Sequence, residues 1–399
     1  MSFAANVSLA IYSNVGQRMK RAFFEDADID IRAFSKLCEQ QTLRDDYPLA
    51  ADLVENVVVY DGPALTQATS SSQRMAKQEL AHCLNDGPGV FVVRGAYHDL
   101  TVIDRCTTVF RQIAANEVAA GIGQGDHFGN NERIWNTIQK VCVAAPDVFV
   151  DYYSNPILRL ASEAWLGPNY QVTSQMNNVK PGGIEQAAHR DYHLGFQTDD
   201  TIGCFPAHAQ VMSQFLTLQG AVAHCDMPLE NGPTFFLPYS QQYAAGYLAF
   251  RRPEFAEYFS QQRVQLPLAK GDMVFFNPAL FHAGGRNSLD RDRVANLLQI
   301  SSAFGRTMES IDRRAMIAAA YPILLERTLE GTITDRETEN AVAAIANGYA
   351  FPTNLDSDPP IHGRSPQSQQ DILSTAIQER WSLDRLTRTI DEYESRRQA

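Results

Sequence analysis

Long apolar runs are missing from this 399-residue chain. Nowhere do roughly 18 uninterrupted apolar residues occur, the length that crosses a bilayer as a helix, so no membrane span is expected. Positive charge is also scarce: 34 Lys and Arg against 46 Asp and Glu give a formal net charge of −12. That balance argues against an extended nucleic-acid footprint or an anionic membrane surface as partner, and it leaves room for a local basic pocket. Cysteine is sparse and unpatterned. The six, at 38, 83, 106, 142, 204 and 225, have no C-x-x-C or zinc-ribbon spacing, and are expected as reduced, mostly buried thiols of a cytoplasmic protein. The opening residues, Met1-Ser-Phe-Ala-Ala-Asn-Val-Ser-Leu-Ala, carry no basic segment ahead of their short apolar stretch, so export is not expected. The glycine-rich run Gly121-Ile-Gly-Gln-Gly-Asp-His-Phe-Gly129 lacks the preceding strand and the βαβ setting of a dinucleotide fingerprint. It reads as a loop and, with Arg133 and Trp135 close behind, as a candidate lid. No repeat period appears.

What the chain does have is a set of metal-ligating side chains at meaningful spacing. His189, Arg190 and Asp191 are followed far downstream by His282, and then by Arg293. Residues i and i+2 of an extended segment point to the same side, so His189 and Asp191 can meet one metal. Two histidines and a carboxylate suit one face of an octahedral Fe(II) and leave other positions open to small ligands. An arginine behind them offers a planar fork for a carboxylate. The combination suggests an iron site with an organic-acid cosubstrate. Taken singly these signals are ordinary. A bare H-x-D with an arginine in the middle also reads as a solvated turn, and His282 alone as a structural histidine.

Local patterns place these residues. The stretch 272–282 reads as an apolar strand ending at His282, 283–292 as turn-rich, and 293–302 as a second strand. Arg293, Ala295, Leu297, Gln299 and Ser301 share one face of that strand, and if Arg293 points inward, Gln299 and Ser301 are expected to line the same cofactor-binding cavity. Upstream, Gln17 to Phe23 forms a basic amphipathic stretch, and helices are expected near 30–42 and 47–54. A helix over 70–84 is read from the spacing of Met75, Leu80 and Leu84, then a strand over 90–93 and a helix over 101–120. Beyond Arg306 the pattern turns helical: 308–330, 335–347 and, after a Pro- and Ser-rich stretch at 351–369, a last helix over 371–397. His193 is a weaker candidate for the pocket, and His224 is the next candidate should His282 not be a ligand.

The run from Lys270 through Phe-Asn-Pro-Ala-Leu-Phe-His282-Ala-Gly-Gly-Arg-Asn287 closely resembles the distal-histidine segment of phytanoyl-CoA dioxygenase-like enzymes, which are Fe(II)- and 2-oxoglutarate-dependent oxygenases. Glu230-Asn-Gly-Pro-Thr-Phe-Phe-Leu-Pro-Tyr-Ser240, Asn178-Val-Lys-Pro-Gly182, Asn85 to Gly95 and Leu158 to Gly167 resemble further segments of the family, which together span about residues 70 to 305. The resemblance implies a mainly β fold with a helical surround, built on a double-stranded β-helix (jelly-roll, cupin-like) core. It makes His189, Asp191 and His282 the metal ligands and Arg293 the clamp on the distal carboxylate of 2-oxoglutarate, with Asn178 matching a position that helps hold the cosubstrate in some relatives. Ser174 stands where relatives often carry Gln, so substrate contacts do not transfer there. Relatives that halogenate lack the carboxylate ligand, which Asp191 supplies here.

The expected organisation is an N-terminal helical segment (1–70), an oxygenase domain (71–305) and a C-terminal helical extension (306–399) that covers the barrel, closes the pocket or mediates a homodimer. The expected reaction hydroxylates a small-molecule substrate with O2, releasing succinate and CO2. Two other readings stay open: a non-redox cupin-like metalloenzyme of the isomerase kind using the same three ligands, and a catalytically idle binding module. The first has no need of an arginine at 293, and the intact set of three ligands weighs against the second.

Overall fold

The computed structural model describes residues 22–67, 70–122, 125–126 and 129–398. Twelve strands lie among them. These are β1 (Asp52–Val54), β2 (Val57–Asp61), β3 (Val90–Arg94), β4 (Gly125–Asp126), β5 (Gly129–Ile134), β6 (Gln171–Val179), β7 (Thr217–Ala223), β8 (Phe235–Phe236), β9 (Val264–Gln265), β10 (Met273–Phe276), β11 (His282–Ala283) and β12 (Arg293–Ser301). Nine form one sheet in the order β1-β2-β3-β10-β7-β12-β6-β5-β4, and three form a second in the order β11-β8-β9. The residue His189 pairs with His282 and so adds a fourth short segment to the small sheet. From β6 onward the chain passes repeatedly between the sheets: β6 large, His189 small, β7 large, β8 and β9 small, β10 large, β11 small, β12 large. This is the jelly-roll arrangement.

The large sheet is buried on both faces, and its strands are written accordingly. Val57, Val59, Val90, Val92, Val274 and Phe276 point toward the small sheet. Their neighbours Val58, Tyr60, Phe91, Val93, Met273 and Phe275 point away, into a helical layer. A strand covered on both sides needs no polar alternation, hence the continuous runs Val57-Val-Val-Tyr60 and Val90-Phe-Val-Val93. Helices covering the outer face include Ser70–Asn85, Leu100–Ala119, Pro146–Tyr153, Pro156–Leu166, Arg313–Glu330 and Leu383–Arg397, each contributing residues to the same core.

The expectation of a mainly β chain is therefore corrected: more of the described residues are helical than extended, because one whole face of the large sheet is roofed by helices. The N-terminal segment contributes β1 and β2 to the sheet, where a helix was expected over 47–54. Met75 is exposed, and the helix it begins packs instead through Ala76, Leu80, Cys83 and Leu84. The expected strand 272–282 is two strands in two sheets. The chain leaves β10 at Asn277-Pro278, where proline cannot donate to a ladder, and crosses to β11. The last helix is also two, Gln369–Gln378 and Leu383–Arg397, broken at Arg380, which has a positive φ of 56°. Of the basic stretch at 17–23, only Ala22 and Phe23 are described, and the expected loop at 121–129 lies partly outside the described residues.

Candidate metal centre

His189 and His282 face each other across the end of the small sheet. Each backbone N–H donates to the other residue's carbonyl, at 3.0 Å from His189 and 3.1 Å from His282, which sets the imidazoles side by side with ring centroids 4.3 Å apart. The ring planes are tilted by 52°, but both turn Nδ1 to the carbonyl two residues earlier. Nδ1 of His189 lies 2.9 Å from the Ala187 carbonyl, and Nδ1 of His282 lies 2.9 Å from the Leu280 carbonyl. A carbonyl can only accept, so Nδ1 carries the proton in each and Nε2 presents its lone pair. The Asp191 N–H is bound by the Pro278 carbonyl at 2.9 Å, and its Oδ2 stands 3.6 Å from His282 Nε2 and 4.0 Å from His189 Nε2. All three ligand atoms fall within 4.8 Å of one another, a group that could hold a metal ion.

Burial alone would raise the Asp191 pKa, but the positive charge that His189 and His282 carry when protonated and a hydrogen bond from Gln219 outweigh it and hold the carboxyl well below the usual carboxylate range. Gln219, on β7, donates through Nε2 to Asp191 Oδ2 at 2.6 Å. Burial keeps His189 below its ordinary pKa and so neutral, the form that can ligate a metal. Between the two ligands, Arg190 does not face solvent. It is 2% exposed, and its Nη2 donates to the Ser240 and Tyr243 carbonyls at 2.6 and 2.9 Å. The rings of Tyr247 and Phe281 both lie 5.2 Å from its guanidinium carbon. A side chain at Gly246 would meet that carbon at 1.9 Å, so glycine there leaves the space the guanidinium occupies. The arginine pins the turn from behind while its neighbours point forward.

The ligands open into a cavity of about 540 Å³. Arg293, the first residue of β12, lines it; the side chain is buried, with Nη1 3.3 Å from the Gly285 carbonyl and no carboxylate partner among the described residues. Burial without a counter-charge lowers its pKa to about 10. Arg286 and Arg291, in the preceding turn, are exposed. Gln299 lines the cavity, as its place on the Arg293 face requires. Ser301 lies on that face too but does not line the cavity: its hydroxyl is 2.8 Å from the Tyr192 hydroxyl and 3.2 Å from the Arg306 carbonyl, which seal it off. The reading of Asn178 is corrected by one residue. Its amide turns to Glu132 and Asp292 at 3.0 and 2.8 Å, away from the cavity, while Asn177 lines it. His193 contacts Thr217 at 3.0 Å and Tyr192 and is not part of the wall.

Three cavity residues were not legible as such in the sequence. Gln219 and Arg251 sit in segments with no motif, and Arg133, read only as part of a lid, reaches the cavity from β5, with its guanidinium 5.0 Å from the ring of Trp135. The signal that would find Gln219 is strand pairing: it lies directly opposite Gln299 and Phe276.

A model of the phytanoyl-CoA dioxygenase (PhyH) family matches residues 86–295. No curated protein matches the sequence. Among solved structures, the chain is similar to the non-heme alpha-ketoglutarate-dependent epimerase SnoN from nogalamycin biosynthesis, at 18% identity and a TM-score of 0.40 over 58% of this chain and 82% of that one. It is similar at the same identity and TM-score to the carbocyclase SnoK from nogalamycin biosynthesis, over 60% of this chain and 86% of that one.

Proposed function

The chain belongs to the phytanoyl-CoA dioxygenase family, whose cofactors are Fe(II) and 2-oxoglutarate, and from that membership we propose that it is a dioxygenase that hydroxylates a small organic molecule. The observation that carries this reading is one cavity holding both a His-Asp-His cluster and a buried arginine with no carboxylate partner among the described residues. His189, Asp191 and His282 would hold the metal, and Arg293 would take the distal carboxylate of 2-oxoglutarate. When bound, iron and 2-oxoglutarate supply the oxidant for the overall change in which substrate, O2 and 2-oxoglutarate become hydroxylated substrate, succinate and CO2.

The chain's own residues do the arranging. The Ala187 and Leu280 carbonyls fix the tautomer of both imidazoles, and Gln219 fixes the rotamer of Asp191. Phe276, Leu297 and Ala221 give the inner wall apolar surface, which keeps water from the reacting C–H bond. A non-redox metalloenzyme would leave Arg293 without a role. The setting we infer is cytoplasmic, in keeping with Cys83, Cys106 and Cys142 as buried free thiols. No helix among the described residues is long and apolar enough to cross a membrane.

Succinate release tests the assignment. The protein with Fe(II), 2-oxoglutarate and O2 is expected to form succinate, and Asp191→Ala, which removes the anionic ligand, to lose that activity while keeping its fold by circular dichroism. Near-normal turnover of Asp191→Ala at full iron occupancy would overturn the ligand assignment.

A further inference from the structure

Two buried glutamines beside the metal ligands have carbonyl oxygens that no described residue satisfies. Gln219 is 3% exposed and Gln299 is 7% exposed, and both line the cavity. They stand directly opposite each other on β7 and β12, which brings their side chains within reach of one ligand group. Neither Oε1 has a hydrogen-bond partner among the described residues. For Gln219 the orientation of the amide follows from chemistry: only an NH2 can donate to the Asp191 carboxylate, so Nε2 is committed there at 2.6 Å and Oε1 must point elsewhere. A buried acceptor left unmade is costly, which marks this spot as a place where a donor belongs.

The cosubstrate cannot supply that donor. As a dianion, 2-oxoglutarate offers acceptors only. Water can meet these oxygens while the site is empty; in the loaded site the substrate takes that place, and the charges around it narrow the class. Among the described lining residues the only carboxylate is Asp191, which the metal would take up; Arg251 is already paired with Asp199 at 2.9 Å, and Arg190 is spent on backbone carbonyls. An ammonium group would find no free counter-ion there. The outer wall adds Ile184 and Phe196, exposed apolar side chains at the mouth.

We infer that the substrate is an apolar skeleton bearing a neutral hydrogen-bond donor, a hydroxyl or an amide N–H, which Gln219 and Gln299 receive beside the metal. This rests on the proposed function, and the test separates the two. Anaerobic protein with Fe(II) and 2-oxoglutarate is first checked for the charge-transfer absorbance of that pair. It is then titrated, with ligand-observed NMR as readout, with benzyl alcohol, N-benzylacetamide, benzyl methyl ether, benzylammonium and benzoate. The alcohol or the amide is expected to bind about tenfold more tightly than the ether, the worth of one satisfied buried hydrogen bond, and which of the two does so identifies the donor. Gln299→Leu should bring that ratio toward one, whereas Gln299→Glu, which keeps an acceptor, should retain a preference. Absence of the charge-transfer band would overturn the proposed function itself. With the band present, donors binding no better than the ether, undetectable binding included, or a preference for benzylammonium, would overturn the substrate inference alone, and the wild-type ratio decides even if a variant does not fold.

Discussion

A guanidinium taken out of water without an anion is among the least comfortable groups a fold can carry, and Arg293 is held that way, with its pKa lowered to about 10 by burial alone. The cost becomes intelligible if a carboxylate arrives with the cosubstrate. Breaking one side of a charge-assisted pair in such a pocket costs about 2–5 kcal/mol. Arg293→Ala should therefore raise the dissociation constant of 2-oxoglutarate about 30-fold or more, at tenfold per roughly 1.4 kcal/mol. Lysine should restore only part of the affinity, because a point charge does not reproduce the fork. Anaerobic titration of 2-oxoglutarate into the Fe(II) protein, followed by charge-transfer absorbance, measures this. Unchanged affinity in Arg293→Ala would remove the residue from the site, and the exposed Arg286 and Arg291 would be poor replacements.

The elements that carry the ligands are short, and what makes them precise is the irregular backbone between them. His282 reaches the site because the chain turns out of β10 at Asn277, a fully buried residue whose Nδ2 donates to the Leu84 carbonyl at 3.1 Å and to Gln214 Oε1 at 3.2 Å, and whose Oδ1 accepts from the Ala279 N–H at 2.9 Å. Asn277→Ala strands buried partners at about 1–3 kcal/mol each. Its urea midpoint should fall by the equivalent of about 3 kcal/mol or more, and Fe(II) affinity should fall with it, since the turn aims His282. A midpoint equal to the parent's would show that the turn holds without this side chain. At this scale the sequence was partly readable. The i, i+2 spacing of His189 and Asp191 and the paired histidines could be seen. Asn178 rests on the family resemblance, and the residues themselves cannot test it, because β6 is buried along almost its whole length on both faces and no alternation of polar and apolar residues reveals which parity faces the cavity. The division of 272–282 between two sheets was hidden for a related reason. Both halves are apolar, and only Asn277-Pro278 punctuates them.

Across the whole molecule the helical layer decides how the sheet is supported, and it was the least legible part. The helix Arg313–Glu330 is readable from the pattern over 308–330, Thr137–Ala144 and Pro146–Tyr153 are not, and nothing in any of the three says that they share the outer face of the large sheet. The contact between layers includes a titratable seam. His224, just past β7, is 5% exposed; its Nδ1 is 2.7 Å from the Thr107 hydroxyl on the helix Leu100–Ala119, and its Nε2 is 2.8 Å from the Tyr152 hydroxyl on Pro146–Tyr153. This is a satisfied structural histidine. Burial, helped by the charge of Lys270 and opposed by that of Asp104, lowers its pKa to about 3. The folded protein thus binds fewer protons at this site than the unfolded chain, whose histidine titrates near 6.5. The stability contributed by keeping it neutral is complete above the unfolded value and is lost as pH falls from there toward the folded one. Between pH 6.5 and pH 5 the loss should be about 2 kcal/mol, at roughly 1.4 kcal/mol per pH unit. Urea denaturation across that range should show the parent losing stability faster than His224→Gln, which starts less stable because Thr107 and Tyr152 lose a well-placed partner. Parallel slopes for the two proteins would assign the acid sensitivity to other groups and leave this seam as packing alone.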